Sequence, residues 1–368
     1  MVGDAIVYRP SSKERFLPCM QALVKYDNLP GCVELRDMPR PEIAPDQVLL
    51  KVRAVGICGS DLEMYHHLIS FPVNPPVILG HEFSGTVAEV GENVRDFKPG
   101  DRVVSETAAY ICGQCHECRT GAYNQCPNRR GFGVLAHGAD APYVAVRQAA
   151  LHHVPGNVDL AEAALTEPLC VAYQALVVKS RIRPGDTVVV LGPGPIGLMS
   201  TQIARVCGAS NIVLAGLPRN TVRLELGMAL GATHVVDLSR DDIHALVMSL
   251  TKGMGADMVV DAAGPSATVK LAMELVRRDG QITKIAWGPK PLDLSLDPLI
   301  AKAVTFQGSF SHTWDTWERV LRLEASGQVK LREMVSHRVP LSEWQSAFHA
   351  LENGEAVKAL IYPNGLED

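Results

Sequence analysis

The hydrophobic positions of the chain follow one pattern in its first part and another further on. The first pattern consists of short apolar runs that turn residues separate, as at 47–55, 84–90 and 102–105. Such runs predict β-strands, and Lys98-Pro99-Gly100-Asp101 predicts a turn between the last two. Residues 20–155 are therefore predicted to form a compact, mostly β, barrel-like domain.

From residue 187 onward, apolar strands alternate with amphipathic helices. The predicted strands are 187–191, 212–215, 234–236, 258–261, 281–286 and 304–307. Between the first two, the segment 195–207 places Ile196, Met199 and Ile203 on one helical face. Strands buried on both faces that alternate with helices are typical of a doubly wound parallel sheet, so we predict an α/β fold here.

Two further segments set the predicted domain limits. Residues 159–180 are predicted to be helical with Asp159 as N-cap, and residues 183–186 form a turn before the parallel sheet. After residue 335, two β-type runs flank a predicted short helix at 343–352, so the end of the chain is expected to return to the first domain. We therefore predict a catalytic domain from residues 1–184 and 325–368, and a second domain from residues 185–324.

The composition argues against several classes of protein. The 368 residues suffice for two domains, and 47% hydrophobic and 20% charged residues are ordinary for a globular chain. A formal net charge of −5 gives no electrostatic reason to expect nucleic acid or a membrane surface as a partner. No apolar run is long enough to cross a bilayer, and residues 1–19 lack the apolar core of a signal peptide. We interpret residues 1–19 as an extension and expect a cytoplasmic protein.

Four cysteines lie close together in the sequence: Cys112, Cys115, Cys118 and Cys126. At C-x2-C-x2-C-x7-C spacing, four thiolates can close a tetrahedron around one zinc ion, and such a closed site is structural. The residues between them cannot build a core, so this lobe is expected to need the metal. A disulfide pair and a nucleic-acid-binding zinc ribbon are the alternatives. The odd total of nine cysteines and the tight spacing favour a structural zinc in a reducing compartment.

A glycine-rich loop follows the first strand of the predicted parallel sheet. Its residues form G-x-G-x-x-G between a strand and a helix: Gly192, Pro193, Gly194, Pro195, Ile196 and Gly197. In this setting the first glycine permits a tight turn, the second admits a pyrophosphate, and the third lets strand and helix pack closely. The free N–H groups at the start of the helix face the anion. The loop therefore predicts a site for NAD or NADP.

The acidic residue that would bind the ribose hydroxyls of NAD is missing from its expected position. It is expected about 20 residues after the loop, and the chain has Gly216 there, with Arg219 close by and Arg223 one turn further on. Loss of a carboxylate and gain of a guanidinium suit the 2′-phosphate of NADP. NADP is one hypothesis, and NAD, with Arg219 as a solvated residue, is the other.

A second set of candidate metal ligands flanks the cysteine lobe: Cys58, His81, Glu82 and Glu167. Cysteine, histidine and carboxylate ligands with one open position describe a catalytic zinc site. His81 and Glu82 are adjacent, so on a regular strand they would point to opposite faces. Both can bind one metal only if the chain bends there. Otherwise one of them contacts the metal ligands without binding the metal itself. Each residue alone also has an ordinary structural explanation, but together they favour a metal.

These motifs occur in the order found in zinc-dependent medium-chain dehydrogenases, and the chain most resembles their polyol branch, which sorbitol and threonine dehydrogenases typify. The resemblance covers residues 20–362 and rests on 56–61, 80–82, the cysteine lobe, 167–168 and 192–197. It implies a β-rich GroES-like catalytic domain and a Rossmann domain that binds NAD(P). It also implies a catalytic zinc on Cys58, His81 and one or both of Glu82 and Glu167. Glu167 stands where simple alcohol dehydrogenases carry a cysteine.

The same resemblance implies hydride transfer between NAD(P) and a secondary hydroxyl of a polyol, cyclitol or hydroxy amino acid. Ser60 would receive the hydroxyl proton, and Glu82 and Glu167 would act at the metal. Glu63 replaces the relay histidine of many relatives, which leaves the relay beyond Ser60 open. The alternatives are a zinc-free, quinone-reductase-like enzyme that reduces a double bond and a non-catalytic dinucleotide-binding protein.

The pocket for a small-molecule alcohol or polyol is expected near Ser60, Tyr65, Phe71, Trp287 and 310–314. Lys284 or His312 is a candidate partner for an acidic substrate, and the alternative is that either is an ordinary surface residue. Relatives are dimers or tetramers joined through the last strand of the cofactor sheet. Residues 304–308 are therefore expected to join subunits in a homodimer or homotetramer.

Overall fold

The computed structural model describes residues 19–288 and 290–367 of the chain. The predicted N-terminal extension, except for its last residue, lies outside the described residues. Within the described part, no helix combines the length and the apolar character that a membrane span requires.

The strands are numbered in chain order. They are β1 (Cys19–Lys25), β2 (Val33–Pro39), β3 (Gln47–Gly56), β4 (Val77–Ile78), β5 (Glu82–Val90), β6 (Arg102–Ser105), β7 (Ala108–Tyr110), β8 (Arg130–Gly131), β9 (Tyr143–Arg147), β10 (Leu151–His153), β11 (Thr187–Leu191), β12 (Asn211–Gly216), β13 (His234–Asp237), β14 (Ala256–Asp261), β15 (Val276–Lys284), β16 (Thr305–Gly308), β17 (Val335–Pro340) and β18 (Lys358–Tyr362).

The α-helices are numbered in the same way. They are α1 (Gly59–Tyr65), α2 (His116–Arg119), α3 (Thr166–Tyr173), α4 (Pro195–Val206), α5 (Thr221–Leu230), α6 (Ile243–Leu250), α7 (Ser266–Leu275), α8 (Asp297–Lys302), α9 (Trp314–Ala325) and α10 (Trp344–Glu352).

The β-rich part is built on a seven-stranded sheet with the order β10-β6-β5-β3-β18-β17, in which β9 also pairs with β3. Alternate residues of β3, namely Val48, Leu50 and Val52, belong to one buried cluster, as the period-2 pattern of a strand requires. The C-terminal strand β18 runs antiparallel to β3, with Leu360 opposite Gly56. This pairing confirms that the end of the chain returns to the first domain.

The cofactor part is a six-stranded, all-parallel sheet with the order β13-β12-β11-β14-β15-β16. All five residues of the central strand β11 are buried. This order is that of a Rossmann sheet, whose ligands bind beyond the carboxyl ends of the strands where the order reverses. The predicted fold class, a GroES-like β domain with a Rossmann domain, is confirmed. The exact division at residues 184 and 325 stays a prediction.

Two predicted elements differ in detail from the structure. The predicted helix at 159–180 is a short 3-10 turn, then α3, then a π turn at Gln174–Val178. Asp159 does cap its start, because its carboxylate accepts the N–H groups of Ala161 and Glu162. The strand predicted at 281–286 begins earlier, at Val276, beyond an irregularity in its pairing with β14. Because residues 277–279 are charged, the hydrophobic pattern of the sequence does not show that the strand begins at Val276.

Candidate zinc centres and cofactor site

The four cysteines of the lobe converge as the spacing predicts. Their sulfur atoms all lie within 4.8 Å of one another. Backbone N–H groups already point at two of them, from Cys112 to the Cys126 sulfur and from Cys118 to the Cys115 sulfur, both at 3.4 Å. The Cys112 and Cys126 sulfurs are 3.6 Å apart, well beyond the ~2.05 Å of a disulfide bond. Four converging free thiols fit a tetrahedral zinc ion.

The second cluster contains Cys58, His81 and Glu82, whose ligand atoms also lie within 4.8 Å of one another. Cys58 is the residue before α1, and only Ile57 separates it from the end of β3. Gly80 has φ +88, and the strand β5 begins only at Glu82, so His81 lies in a bend rather than within the strand. A side chain at Gly80 would lie 2.8 Å from Val55 Cγ1. This bend lets both adjacent residues face one site.

Asp61 supports both ends of this cluster. One of its carboxylate oxygens accepts the Cys58 N–H at 2.8 Å, and the other lies 3.7 Å from His81 Nδ1. Burial alone would lower the pKa of His81, but the charges of Asp61 and Cys58 raise it well above its ordinary value. The surroundings of His81 therefore favour positive charge.

Three buried atoms of the cluster have no hydrogen-bond partner within the described residues: Asp61 Oδ1, His81 Nδ1 and Glu82 Oε2. Buried polar atoms are normally satisfied. Asp61 Oδ1 and His81 Nδ1 face each other, and Glu82 Oε2 faces Lys358, so the fit to a zinc ion rests on the donors, a sulfur, a nitrogen and a carboxylate oxygen within 4.8 Å of one another.

Glu82 is paired with a lysine that the sequence reasoning did not identify. Lys358 Nζ lies 2.5 Å from Glu82 Oε2 and donates to the Ile57 carbonyl at 2.7 Å. Burial alone would lower the pKa of Lys358, but the Glu82 charge raises it, so the lysine remains charged. The feature of the sequence that could have indicated this buried ion pair is a lysine at the start of the otherwise apolar run KALIY.

Glu167 lies beside the cluster but outside the group of ligand atoms within 4.8 Å of one another. It is in the first turn of α3 and is buried, and its Oε1 accepts from His312 Nε2 at 2.9 Å. Its role as a zinc ligand stays a prediction. Cys170, three residues on, is a fully buried thiol in the core, and burial raises its pKa well above the ordinary value.

The helix α1 carries Ser60, which is expected to receive the proton, and Glu63, which stands where many relatives carry a relay histidine. Ser60 is half-buried in its first turn, two residues after Cys58. Glu63 is also half-buried, and burial raises the pKa of its carboxyl group. His66 pairs instead with Glu352 at the surface.

The glycine loop has the geometry that a pyrophosphate requires. Gly192 has φ +102, and a Cβ at Gly197 would lie 1.9 Å from the Gly192 carbonyl oxygen. Around Gly194, in contrast, a Cβ would meet nothing within 4 Å, so that space is open in front of α4. Pro195 occupies the first turn of α4, where a missing N–H costs nothing. An open cradle at the start of a helix fits a dinucleotide.

Gly216 ends β12 against the same loop. A Cβ there would lie 2.8 Å from Pro193 Cγ and 3.0 Å from its Cδ. The proline ring therefore leaves no room for the acidic side chain that binds ribose hydroxyls. Arg219 is exposed nearby, and Arg223 donates to the Ala356 carbonyl while its buried Nε lacks a partner within the described residues.

The expected pocket residues do not all lie together. Phe71, Trp287 and Phe310 form an aromatic row, with centroid distances of 5.6 Å and 6.0 Å. Tyr65 instead packs on Trp344 and Phe348 in the β-rich part.

Neither residue expected to meet an acidic substrate is free to do so. Lys284 Nζ lies 2.8 Å from Asp261 Oδ2. His312 bonds to Glu167 and Trp317.

Arg129, which the sequence motifs do not indicate, is a cation beside the loop at 310–311. It donates to Thr107 Oγ1 at 2.6 Å and to Ser311 Oγ at 3.4 Å, and its guanidinium lies over the Phe310 ring. Burial lowers its pKa, against the raising effect of Glu167. It pairs with no carboxylate within 4.0 Å in the part of the chain that the structure describes.

Comparison with known proteins gives consistent matches over almost the whole chain. Two family models match, "Alcohol dehydrogenase GroES-like domain" at residues 44–156 and "Zinc-binding dehydrogenase" at residues 195–326. The chain is 40% identical to the sorbitol dehydrogenase of Halalkalibacterium halodurans, over 94% of this chain and 99% of that protein. It is 38% identical to the D-arabitol-phosphate dehydrogenase of Enterococcus avium, over 89% and 93%.

A solved structure is also similar throughout. It is a protein of Sinorhizobium meliloti 1021 described as a zinc-binding dehydrogenase and bound to NADP. The TM-score is 0.86 at 32% identity, covering 94% of this chain and 100% of that chain.

Proposed function

The chain belongs to the zinc-type medium-chain alcohol dehydrogenases, enzymes that act on CH–OH donors, and we propose that it oxidises a secondary hydroxyl of a polyol, cyclitol or hydroxy amino acid. Glu167 carries the polyol proposal. It is a buried carboxylate beside the Cys58, His81 and Glu82 cluster, and one of its oxygens is already bound by His312. A substrate with several hydroxyl groups can donate to the other oxygen, whereas a simple alcohol would leave it unsatisfied.

The residues divide the chemistry between them. Cys58 and His81, with Glu82 or Glu167, would hold a zinc ion, which when bound supplies Lewis-acid polarisation of the substrate hydroxyl, while NAD(P) supplies the hydride acceptor. Asp61 faces His81 across 3.7 Å and supplies it with a negative charge, and its other oxygen holds the Cys58 backbone N–H. Ser60 receives the hydroxyl proton, and Glu63, whose pKa burial raises, follows it on α1.

We propose NADP as the preferred cofactor. Pro193 blocks an acidic side chain at Gly216, and Arg219 and Arg223 place two guanidinium groups at the start of α5. One similar solved structure is bound to NADP and another to NADH, so the preference rests on these residues of the chain. Fluorescence titration with NADPH and NADH tests it, and tighter binding of NADH would refute it. Gly216→Asp should weaken both cofactors because of the clash, and adding Pro193→Ala should restore binding of NADH alone.

Arg129 favours a second candidate, a phosphorylated polyol. It is a half-buried guanidinium with two hydroxyl neighbours, Thr107 and Ser311, and such a group suits a phosphate. The likeness to a D-arabitol-phosphate dehydrogenase points the same way. Arg129→Met would then raise KM for the phosphorylated substrate and leave KM for the free polyol unchanged.

The decisive experiment is a dehydrogenase screen over polyols, their phosphates, inositols, sugar acids and threonine with both cofactors. Cys58→Ala should abolish turnover while the protein keeps its fold and its cofactor binding. A wild type that oxidises no alcohol but reduces an activated double bond, and still does so as Cys58→Ala, would support a zinc-free double-bond reductase. A wild-type protein that binds cofactor but oxidises no alcohol would support the non-catalytic alternative.

We also propose that the enzyme is a cytoplasmic homodimer or homotetramer joined through β16. This strand is at one edge of the parallel sheet, where unpaired backbone groups can pair with another chain. Phe306 on it and Ile300 just before it are exposed, by 39% and 78%. Nine free cysteines suit the reducing cytoplasm. Light scattering tests the assembly, which Phe306→Lys should disrupt.

A further inference from the structure

The loop after β16 brings His312 from the cofactor sheet to Glu167 in the other part of the molecule. His312 Nε2 lies 2.9 Å from Glu167 Oε1, and the two side chains are only 1% and 9% exposed. On its other side, His312 Nδ1 accepts from Trp317 Nε1 at 2.7 Å. The three side chains therefore form one buried hydrogen-bonded series.

The chemistry of tryptophan decides where the histidine proton is. An indole N–H can only donate, so His312 Nδ1 must accept and carries no proton. The neutral imidazole then has its proton on Nε2, the atom that faces Glu167. His312 therefore donates to the carboxylate, and a bond from an N–H to a charged acceptor is among the stronger ones in proteins.

Packing keeps Trp317 in place. Its side chain is 1% exposed on α9, meets the His312 ring edge-on and stacks flat on His152 with an interplanar angle of 7°. The preceding residue, Thr316, donates to Gln174 at 2.6 Å and so ties α9 to the end of the α3 segment. The indole therefore presents its N–H in a fixed direction.

The cysteine lobe holds the loop that carries His312. Asn124 donates to the Phe310 carbonyl at 2.9 Å, and the Trp314 N–H donates to the Tyr123 hydroxyl. His312 lies between these two attachments. Ser311, just before it, has φ 55, a left-handed conformation that surrounding contacts must maintain.

We propose that His312 is a positioning residue for Glu167, with its tautomer set by Trp317 and its place set by the cysteine lobe. The inference rests on the proposed function, because it takes Glu167 to act on the substrate. His312 binds Oε1 and so fixes the plane of the carboxylate, leaving Oε2 to the substrate. It touches no reacting atom and acts through Glu167.

A double-mutant cycle on the zinc-loaded enzyme tests this role. We expect His312→Phe to lower kcat roughly 10- to 100-fold, as misplacement of a substrate-binding group does. In a Glu167→Gln background the same substitution should change kcat by less than about twofold, because the residue it acts through is already altered. His312→Gln keeps an N–H donor and should recover to within about fivefold of the wild type.

Three measurements separate positioning from general damage. Each variant should keep two zinc ions per chain, its Tm and its NADPH affinity. As a matched control, His244→Phe breaks an exposed histidine–glutamate contact of the same length, 2.9 Å to Glu274, so it should keep kcat within about twofold. In ¹⁵N-histidine-labelled protein, the His312 signal should show a proton on Nε2, and Trp317→Phe should weaken that preference.

The outcomes are distinct. Equal losses in both backgrounds, a His312→Gln variant as impaired as His312→Phe, or a proton on Nδ1 would each overturn the inference. Loss of one zinc ion from His312→Phe would also overturn it, since the residue would then be holding the metal site itself. Failure of the proposed function looks different, because the wild type itself would then oxidise no polyol.

Discussion

Substitution of Glu324 by Gln should stabilise the protein at alkaline pH. Glu324 lies on α9 and is 8% exposed. One of its oxygens accepts from Thr166 Oγ1 at 3.1 Å, and the other has no partner in the described part of the chain. Burial raises the pKa of this carboxyl from 4.5 to about 8, against a smaller lowering by the Thr166 hydrogen bond. The folded protein therefore keeps this acid protonated near neutral pH.

The sign of the effect follows from proton binding. Below pH 4.5 the group is protonated in both the folded and unfolded chain, and its contribution is fully present. As pH rises towards about 8, the unfolded chain releases this proton and the folded chain does not, so stability falls. At 1.36 kcal/mol per unit, the full loss above that pH is about 4–5 kcal/mol as an upper bound. Gln is neutral throughout, so the variant lacks this loss.

Urea denaturation of the wild type and Glu324→Gln at pH 5 and pH 9 measures the difference. We expect nearly equal free energies of unfolding at pH 5 and a more stable variant at pH 9. The exposed Glu333→Gln serves as a control whose difference from the wild type should not change with pH. A Glu324→Gln difference that is the same at both pH values would show that the buried acid ionises normally and would refute the reasoning.

Three further substitutions probe the site. Lys358→Met leaves Glu82 as a buried, uncompensated charge and should cost about 3–5 kcal/mol in unfolding free energy, which adding Glu82→Gln should largely restore in urea denaturation. Arg219→Ala should weaken NADPH roughly tenfold and leave NADH unchanged in fluorescence titration, and equal weakening of both would contradict a 2′-phosphate contact. Cys118→Ser should reduce bound zinc from two ions to one by elemental analysis, and two retained ions would exclude the lobe as a metal site.

Much of the site was predictable because its motifs are local. The turn at Gly192, the cradle at Gly194 and the contact at Gly197 each depend on neighbours within one strand–loop–helix unit, so spacing alone determines them. The cysteine lobe is local for the same reason. The bend at Gly80 was predictable only in part. The sequence required a bend at His81, but only the left-handed conformation of the residue before it shows how the bend is made.

Contacts between distant segments could not be predicted in this way. Glu167 and His312 are 145 residues apart, and Lys358 and Ile57 are 301 apart. Either pairing depends on how two domains and a returning C-terminal strand are arranged, and no periodicity encodes that. From the sequence, His312 was a candidate partner for an acidic substrate. In the structure its two ring nitrogens are instead bound to Glu167 and Trp317.

The position of the loop at 310–314 changes what the cysteine lobe contributes. From the sequence, the lobe is a structural unit that performs no chemistry. In the structure, Asn124 and Tyr123 of the lobe bind the two ends of that loop, and the loop presents His312 to Glu167. A zinc ion that orders the lobe would therefore also order a carboxylate at the other metal site. Because these links are directional hydrogen bonds, the geometry at Glu167 should depend on an intact lobe.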